Sequence, residues 1–216
     1  MYDSAINYRT SRPVLDGTAL DSAIDEARAE LAALLRAPGG GEPSRLTEAR
    51  ALLGSLLDRR VALAAARLGP RAAVHAADMA RLGGIVGDAA LDLIISSLAL
   101  HYVADLPPLF LEWARVLKPG GILVLSTHHP LYDLERLRQT GYLATALVEE
   151  EWAWLGRMRF YQRPLSAITE PMSAAGFVIE RLVEPVPQPE FRDADAKNYA
   201  HLMRAPSFLM IRARKG

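Results

Sequence analysis

The sequence predicts an α/β protein built on a parallel sheet, and three observations carry that prediction. Two short apolar runs, LDLIISS at 91–97 and GILVLS at 121–126, are β-branched at several positions and bounded by turn residues, as strands buried on both faces are. Between them, residues 106–117 repeat apolar side chains at helical spacing (Leu106, Leu109, Phe110, Trp113, Val116, Leu117). Lys118-Pro119-Gly120-Gly121 then stops the helix and turns the chain, so strand, helix and strand form one crossover unit, right-handed by the general rule.

The 216 residues suffice for one α/β domain with an ample core. We read 1–216 as a single domain: a helical segment (1–69), a sheet core (70–127), a cover (128–163), and a C-terminal helix and hairpin (164–216). Lys plus Arg equals Asp plus Glu at 25 each, with no long basic run, which argues against nucleic acid as a partner and against an anionic membrane surface. There is no cysteine, hence no disulfide framework and no thiolate metal site. No apolar stretch approaches the roughly 18 residues that span a bilayer, and Met1-Tyr2-Asp3 does not open a signal peptide, so cytoplasmic residence is the expectation.

In chain order, residues 20–37 keep a helical period through Leu20, Ile24, Ala27, Leu31, Leu34 and Leu35, with Ala-rich filling of high helix propensity. The run Pro38-Gly39-Gly40-Gly41-Glu42-Pro43 reads as a linker, and Ser44 can cap a second helix over 44–68. Residues 71–78 (RAAVHAAD) read as a strand ending in an acidic residue, with His75 a structural member of it. After the central unit, 128–163 carries aromatic clusters and is long for a connection, which suggests a cover over the sheet edge where ligands bind in open parallel sheets. A helix over 164–175 containing Pro171, a strand over 177–183, a Pro-rich loop and a strand over 207–212 complete the chain, with His201 on the surface.

The central string resembles a known family. Asp92 enters the first run, Ser96-Ser97 leaves it, and Arg115-Val116-Leu117-Lys118-Pro119-Gly120-Gly121 precedes the second. Together these are similar to the fourth and fifth strands, and the helix between them, of class I S-adenosylmethionine-dependent methyltransferases, in particular the small-molecule branch. The resemblance extends over about 71–216, because RPLSAITEPMSAAGFVIERL and PSFLMIRARK look like that family's last helix and closing hairpin. It implies a Rossmann-like methyltransferase parallel sheet with a C-terminal antiparallel hairpin, here with its N-terminal edge remodelled as helices. It also implies S-adenosylmethionine as cofactor and a small-molecule substrate.

In the family the first strand ends in an acidic residue followed by a G-x-G-x-G loop, whose backbone N–H groups receive the cofactor's carboxylate at a helix N-terminus. The nearest counterpart here is Val14-Leu15-Asp16-Gly17-Thr18, with the middle residues absent, which makes Asp16 and Gly17 the cofactor residues the resemblance implies. The family's second acidic residue, which holds the ribose, has no counterpart. Asp78 matches the residue that receives the adenine amino group, with Met79 beside the ring; alternatively Asp78 is a carboxylate capping the next turn. Ser96, Ser97 and Leu98 match the wall beside the sulfonium end, and Asp92 reads as structural.

His101 and His128 leave the two central strands toward the edge where chemistry would occur, and an imidazole can accept a proton there. A stacked structural role for His101 is the alternative. Tyr102 and His129 share that edge as substrate-binding candidates. Trp152, Trp154, Tyr161 and Arg163 could form an apolar roof with a cationic rim; alternatively one Trp packs as core and Arg163 pairs with a carboxylate. No metal is expected, since the adjacent His128 and His129 point apart and no carboxylate stands at a recognised spacing.

Three functions follow. The first is S-adenosylmethionine-dependent methyl transfer to a small apolar molecule. The second is a methyltransferase-like enzyme that has lost methyl transfer and catalyses a cofactor-independent cyclisation or rearrangement. The third is a non-catalytic relative, with the N-terminal helices as an interaction surface. A sheet edge left bare by missing strands needs covering or pairing, which a homodimer would supply.

Overall fold

The computed structural model describes residues 17–36, 43–132, 141–152 and 156–216. Where the sequence reads as one domain, packing divides the chain into two compact units, with the boundary between Ala77 and Asp78. The helical unit contains α1 (Gly17–Arg36) and α2 (Pro43–Leu68), which pack on one another. Ile24, Ala27 and Leu34 of α1 and Ala49 of α2 are buried, as the helical spacing of the apolar residues requires.

Residues 72–78 form no strand, and this corrects the sequence reading. Only Val74 among them is β-branched, the flanking alanines have little to pack, and no neighbouring strand supplies hydrogen bonds. His75 is accordingly an exposed residue of an irregular segment.

The second unit holds the sheet. Its elements are β1 (Leu91–Ser97), a 3-10 turn (Leu100–Tyr102), α3 (Leu106–Val116), β2 (Leu117–His128), β3 (Ala146–Trp152), β4 (Gly156–Gln162), α4 (Ser166–Ala174), β5 (Phe177–Val183), α5 (Phe191–Ala194), α6 (Ala196–Leu202) and β6 (Phe208–Lys215). The main sheet has the order β1-β2-β6-β5. The β1–β2 pair is parallel, and β6 runs antiparallel to both β2 and β5. The central crossover and the closing hairpin therefore stand where the sequence places them. The Pro-rich loop expected after β5 contains two short helices, α5 and α6; Asp195 caps α6 by accepting the Asn198 N–H at 2.9 Å.

One face of this sheet is buried against α3 and α4. Leu123, Leu125, Leu209, Ile211, Ala213 and Phe177 meet Leu109, Phe110, Trp113, Ile168 and Met172 in one apolar cluster. Pro107 is tolerated in α3 because first-turn positions have no intrahelical partner for an N–H. At the other end, Gly120 takes a φ of +75°, and a Cβ on Gly121 would lie 2.8 Å from the Lys118 carbonyl. These two glycines let the chain turn between α3 and the paired part of β2, and the β1–β2 register slips there, from Leu91↔Leu117 to Leu93↔Ile122.

The arginine of the central motif has a structural task. Arg115 donates to Glu112 at 2.7 and 2.8 Å, to Asp88 and to the Val86 carbonyl, while the Leu82 N–H donates to Glu112 at 2.6 Å. The connection ahead of β1 is thereby pinned to α3. Its hydrogen bonds with Arg115, the largest cause, hold the Glu112 carboxyl down at about 2.

β1 departs from the sequence reading. It is expected to be buried on both faces, yet it is the edge of the described sheet, with Leu93 49% and Ile95 69% exposed. No described strand lies beyond it, and no described helix of this unit covers that face. Asp92 forms an exposed ion pair with Lys118 at 2.7 Å. No described helix is long and apolar enough to cross a membrane.

Candidate active site

The carboxyl ends of β1 and β2 open onto one cleft, lined by Leu100, His101, Thr127, His128, His129, Pro130, Tyr132, Phe160, Tyr161, Gln162, Arg163 and Ile168. Three local features build it. Leu98 leaves β1 with φ +48° and donates its N–H to Ser126, both to the carbonyl (3.0 Å) and to Oγ (3.1 Å). The 3-10 turn that follows sets His101, 3% exposed, against the end of β2. There the His101 and His128 rings stack, with centroids 3.9 Å apart and planes 8° from parallel.

The cover expected over 128–163 contains an antiparallel hairpin, β3–β4. Val148 and Phe160 face one another in it and are both buried. Phe160 stands edge-on to His128 (4.8 Å, 90°) and to His101 (6.0 Å, 85°), and Tyr132 stacks on the far face of the group at 4.8 Å from His128. The cleft walls are therefore planar rings held in fixed mutual orientation.

Both imidazoles are neutral at ordinary pH. Burial, then the neighbouring His128 and Arg163, push the His101 pKa down to about 3, and burial pushes His128 down to about 4. His101 Nδ1 lies 3.4 Å from Thr127 Oγ1. His129 is fixed in one tautomer: its Nδ1 accepts the Leu131 N–H at 3.0 Å, so Nε2 carries the hydrogen and donates to Glu184 at 2.8 Å.

Arg163 lies inside the cleft. It is 7% exposed, donates through Nη2 to the carbonyls of Val103 and Ala104, and stacks over the Tyr161 ring at 4.8 Å. The expected cationic rim is thus a buried cation, because the end of β4 delivers it beneath the hairpin. Burial lowers its pKa.

The structure brings His101, His128, His129, Tyr161 and Arg163 together, as the sequence places them. Both ring nitrogens of His129 are engaged within the protein, which makes it structural. Tyr102 tilts against His101 at 4.2 Å but is 43% exposed and outside the cleft lining. Trp154 and the Trp152 side chain lie outside the described residues, as does Asp16. Sequence reasoning missed Gln162, Tyr132, Phe160 and Thr127. The alternation of Arg157, Arg159 and Tyr161 with Met158, Phe160 and Gln162 carries a strand signal that could have found Phe160 and Gln162.

The remaining cofactor positions are dispersed. Asp78 is the turn-capping carboxylate: Oδ1 accepts the Ala80 N–H at 2.9 Å, and the side chain is 60% exposed. The Met79 carbonyl receives the Trp113 indole N–H at 3.1 Å, and its side chain packs on the apolar cluster. Gly17 begins α1, in the other unit. Ser96 is buried, Ser97 is exposed, and Leu98 is 40% exposed.

The model of the methyltransferase domain family matches residues 37–125, beginning upstream of the motif resemblance and taking in α2. This part of the chain, 89 of its 216 residues, is similar to the methyltransferase domain. A solved S-adenosylmethionine-dependent methyltransferase of Mesorhizobium loti is 26% identical, with a TM-score of 0.52 over 74% of this chain and 76% of that one. A candidate S-adenosylmethionine-dependent methyltransferase of Listeria monocytogenes shares the fold, with a TM-score of 0.62, 22% identity, and 73% and 76% coverage. Among curated proteins, a malonyl-[acyl-carrier protein] O-methyltransferase of Xylella fastidiosa is 42% identical over 62 residues, 29% of this chain and 21% of that protein. The namesake of Prosthecochloris aestuarii is 36% identical over 74 residues, 33% and 27% of the two chains. The matches thus span less than a third of the length of those curated relatives.

The methyltransferase family uses S-adenosylmethionine, and residues 14–16, which the resemblance places at the methionine end of that group, lie outside the described residues. Asp78, matched to the adenine end, accepts the Ala80 N–H of its own turn through Oδ1, and no described strand lies beyond β1.

Proposed function

We propose that this chain methylates a small, largely apolar molecule held in the cleft that His101, His128 and Phe160 help to line. The observation that carries the reading is the family match over 37–125, joined to a ring-walled cleft at the carboxyl ends of the strands that bear the family motif. His128 lines the cleft at the end of a motif-bearing strand and is its candidate proton acceptor, though burial, by lowering its pKa to about 4, makes it a weaker base than a free imidazole. The Xylella and Prosthecochloris relatives are O-methyltransferases by name, in keeping with an oxygen acceptor. His101, stacked behind His128, orients it.

A second reading, a cofactor-independent rearrangement in the same cleft, is favoured by the absence of a methionine cradle among the described residues. Incubating the full chain with a panel of small aromatic and aliphatic acids and alcohols, with and without S-adenosylmethionine, separates the two. Methylated product only in the presence of S-adenosylmethionine is expected. His128→Leu should then slow formation by about 10²- to 10⁴-fold, the usual share of a general base. Conversion of a panel member without the cofactor would transfer the assignment to the second reading.

A further inference from the structure

We propose that the cleft recognises the carboxylate of a small planar acid, with the Arg163 guanidinium and the Gln162 amide as the groups that grip it. This deepens the methyl-transfer reading and rests on it only for the location of the acceptor. Three observations converge. Among the described lining residues there is no Asp or Glu, and Arg163 brings the guanidinium of the cleft. That guanidinium is 7% exposed, its described hydrogen-bond partners are two backbone carbonyls, and no described carboxylate lies within ion-pair distance of it. A cation taken from water in this way is costly unless an anion joins it.

The second group is the next residue back. Gln162 is also 7% exposed, and its Nε2 is buried with no hydrogen-bond partner. An orphaned buried amide donor is rare in native structures and marks a place for an acceptor. Both residues sit at the end of β4, so one strand end delivers a charged and a neutral donor side by side to the same cleft. Of the nearby acids, Glu184 holds His129, and Asp105 is exposed and acts on Arg163 by charge alone, beyond ion-pair distance. The aromatic rings of His128, Tyr132 and Phe160 line the rest of the cleft.

Calorimetric titration of the full chain near pH 7.5 with benzoate and with benzamide, its neutral counterpart, tests this without any variant. Benzoate is expected to bind saturably and benzamide at least about tenfold more weakly, the scale of a hydrogen bond to a charged group. Gln162→Leu should weaken benzoate by about 3- to 10-fold, and Arg163→Lys by about 10-fold or more, since an ammonium cannot reproduce the planar fork. Because Arg163 also holds Val103 and Ala104, the benzoate-to-benzamide ratio in the unaltered protein and the Gln162→Leu variant decide if Arg163→Lys fails to fold. Equal binding of the two probes, or benzoate binding indifferent to Gln162→Leu, would overturn the inference. A parallel titration with S-adenosylmethionine keeps the readings apart. Cofactor binding without benzoate preference sinks this inference alone, and benzoate preference without cofactor binding sinks methyl transfer alone.

Discussion

Acidification from pH 6.5 to 4 is expected to destabilise the α/β unit steeply, and His101→Phe should remove about half of that slope. His101 and His128 bind protons in the folded state only near pH 3 and 4, whereas unfolded imidazoles bind them near 6.5. In the interval between, the unfolded chain carries more protons, so stability rises with pH there. Their stabilising contribution is complete above 6.5 and is lost as pH falls through the window toward 3–4. Each imidazole contributes a slope of at most about 1.4 kcal/mol per pH unit. Phe preserves a flat ring on His128 but cannot titrate, which makes it the informative replacement. Glu112 acts in a separate window: its carboxyl is held at about 2, so its contribution is present above about 4.5 and is lost only as pH falls below that. Thermal melts across pH 3–8 read both limbs. An unchanged slope between 4 and 6.5 in His101→Phe would mean that the stack is not the acid-sensitive element.

Phe110→Ala is expected to cost about 3–5 kcal/mol, the range for emptying a buried aromatic site. The ring is 0% exposed and meets Trp113 and Phe177 edge-on at 5.7 and 6.4 Å. It therefore ties α3 to β5 across the one buried face of the sheet. Against an ordinary total of about 5–15 kcal/mol, the variant should be marginal or unfolded at room temperature. Urea unfolding followed by tryptophan fluorescence measures it; a loss below about 1 kcal/mol would show that the cluster collapses to fill the site.

The central crossover was legible because its signals are local and redundant: helical spacing from Leu106 to Leu117, a glycine pair where +75° and a close backbone approach are needed, and β-branched runs on either side. His101 and His128 were legible for the same reason, as residues leaving strand ends. The strand expected at 71–78 failed because a few alternating residues specify a strand only when a neighbour pairs with it. The same missing neighbour leaves Leu93 and Ile95 exposed on a strand whose composition demands burial. Arg163 was found as a residue but misplaced as a rim, since burial beneath β3–β4 is a tertiary outcome. Gln162 went unnoticed because nothing in its sequence neighbourhood shows that its amide is left without a partner; only the packed hairpin does.

Titration of the chain with S-adenosylmethionine and with S-adenosylhomocysteine is the most direct test of methyl transfer. Losing a loop that supplies about two charge-assisted hydrogen bonds costs roughly 3–6 kcal/mol, on the order of a hundredfold to more than ten-thousandfold in affinity. A methyltransferase domain holding its cofactor without that cradle should therefore bind both compounds saturably but weakly, with Kd in the range of about 0.1 to several mM. Heats no larger than dilution for either compound at about 10 mM would contradict it and leave the ring-walled cleft to cofactor-free chemistry.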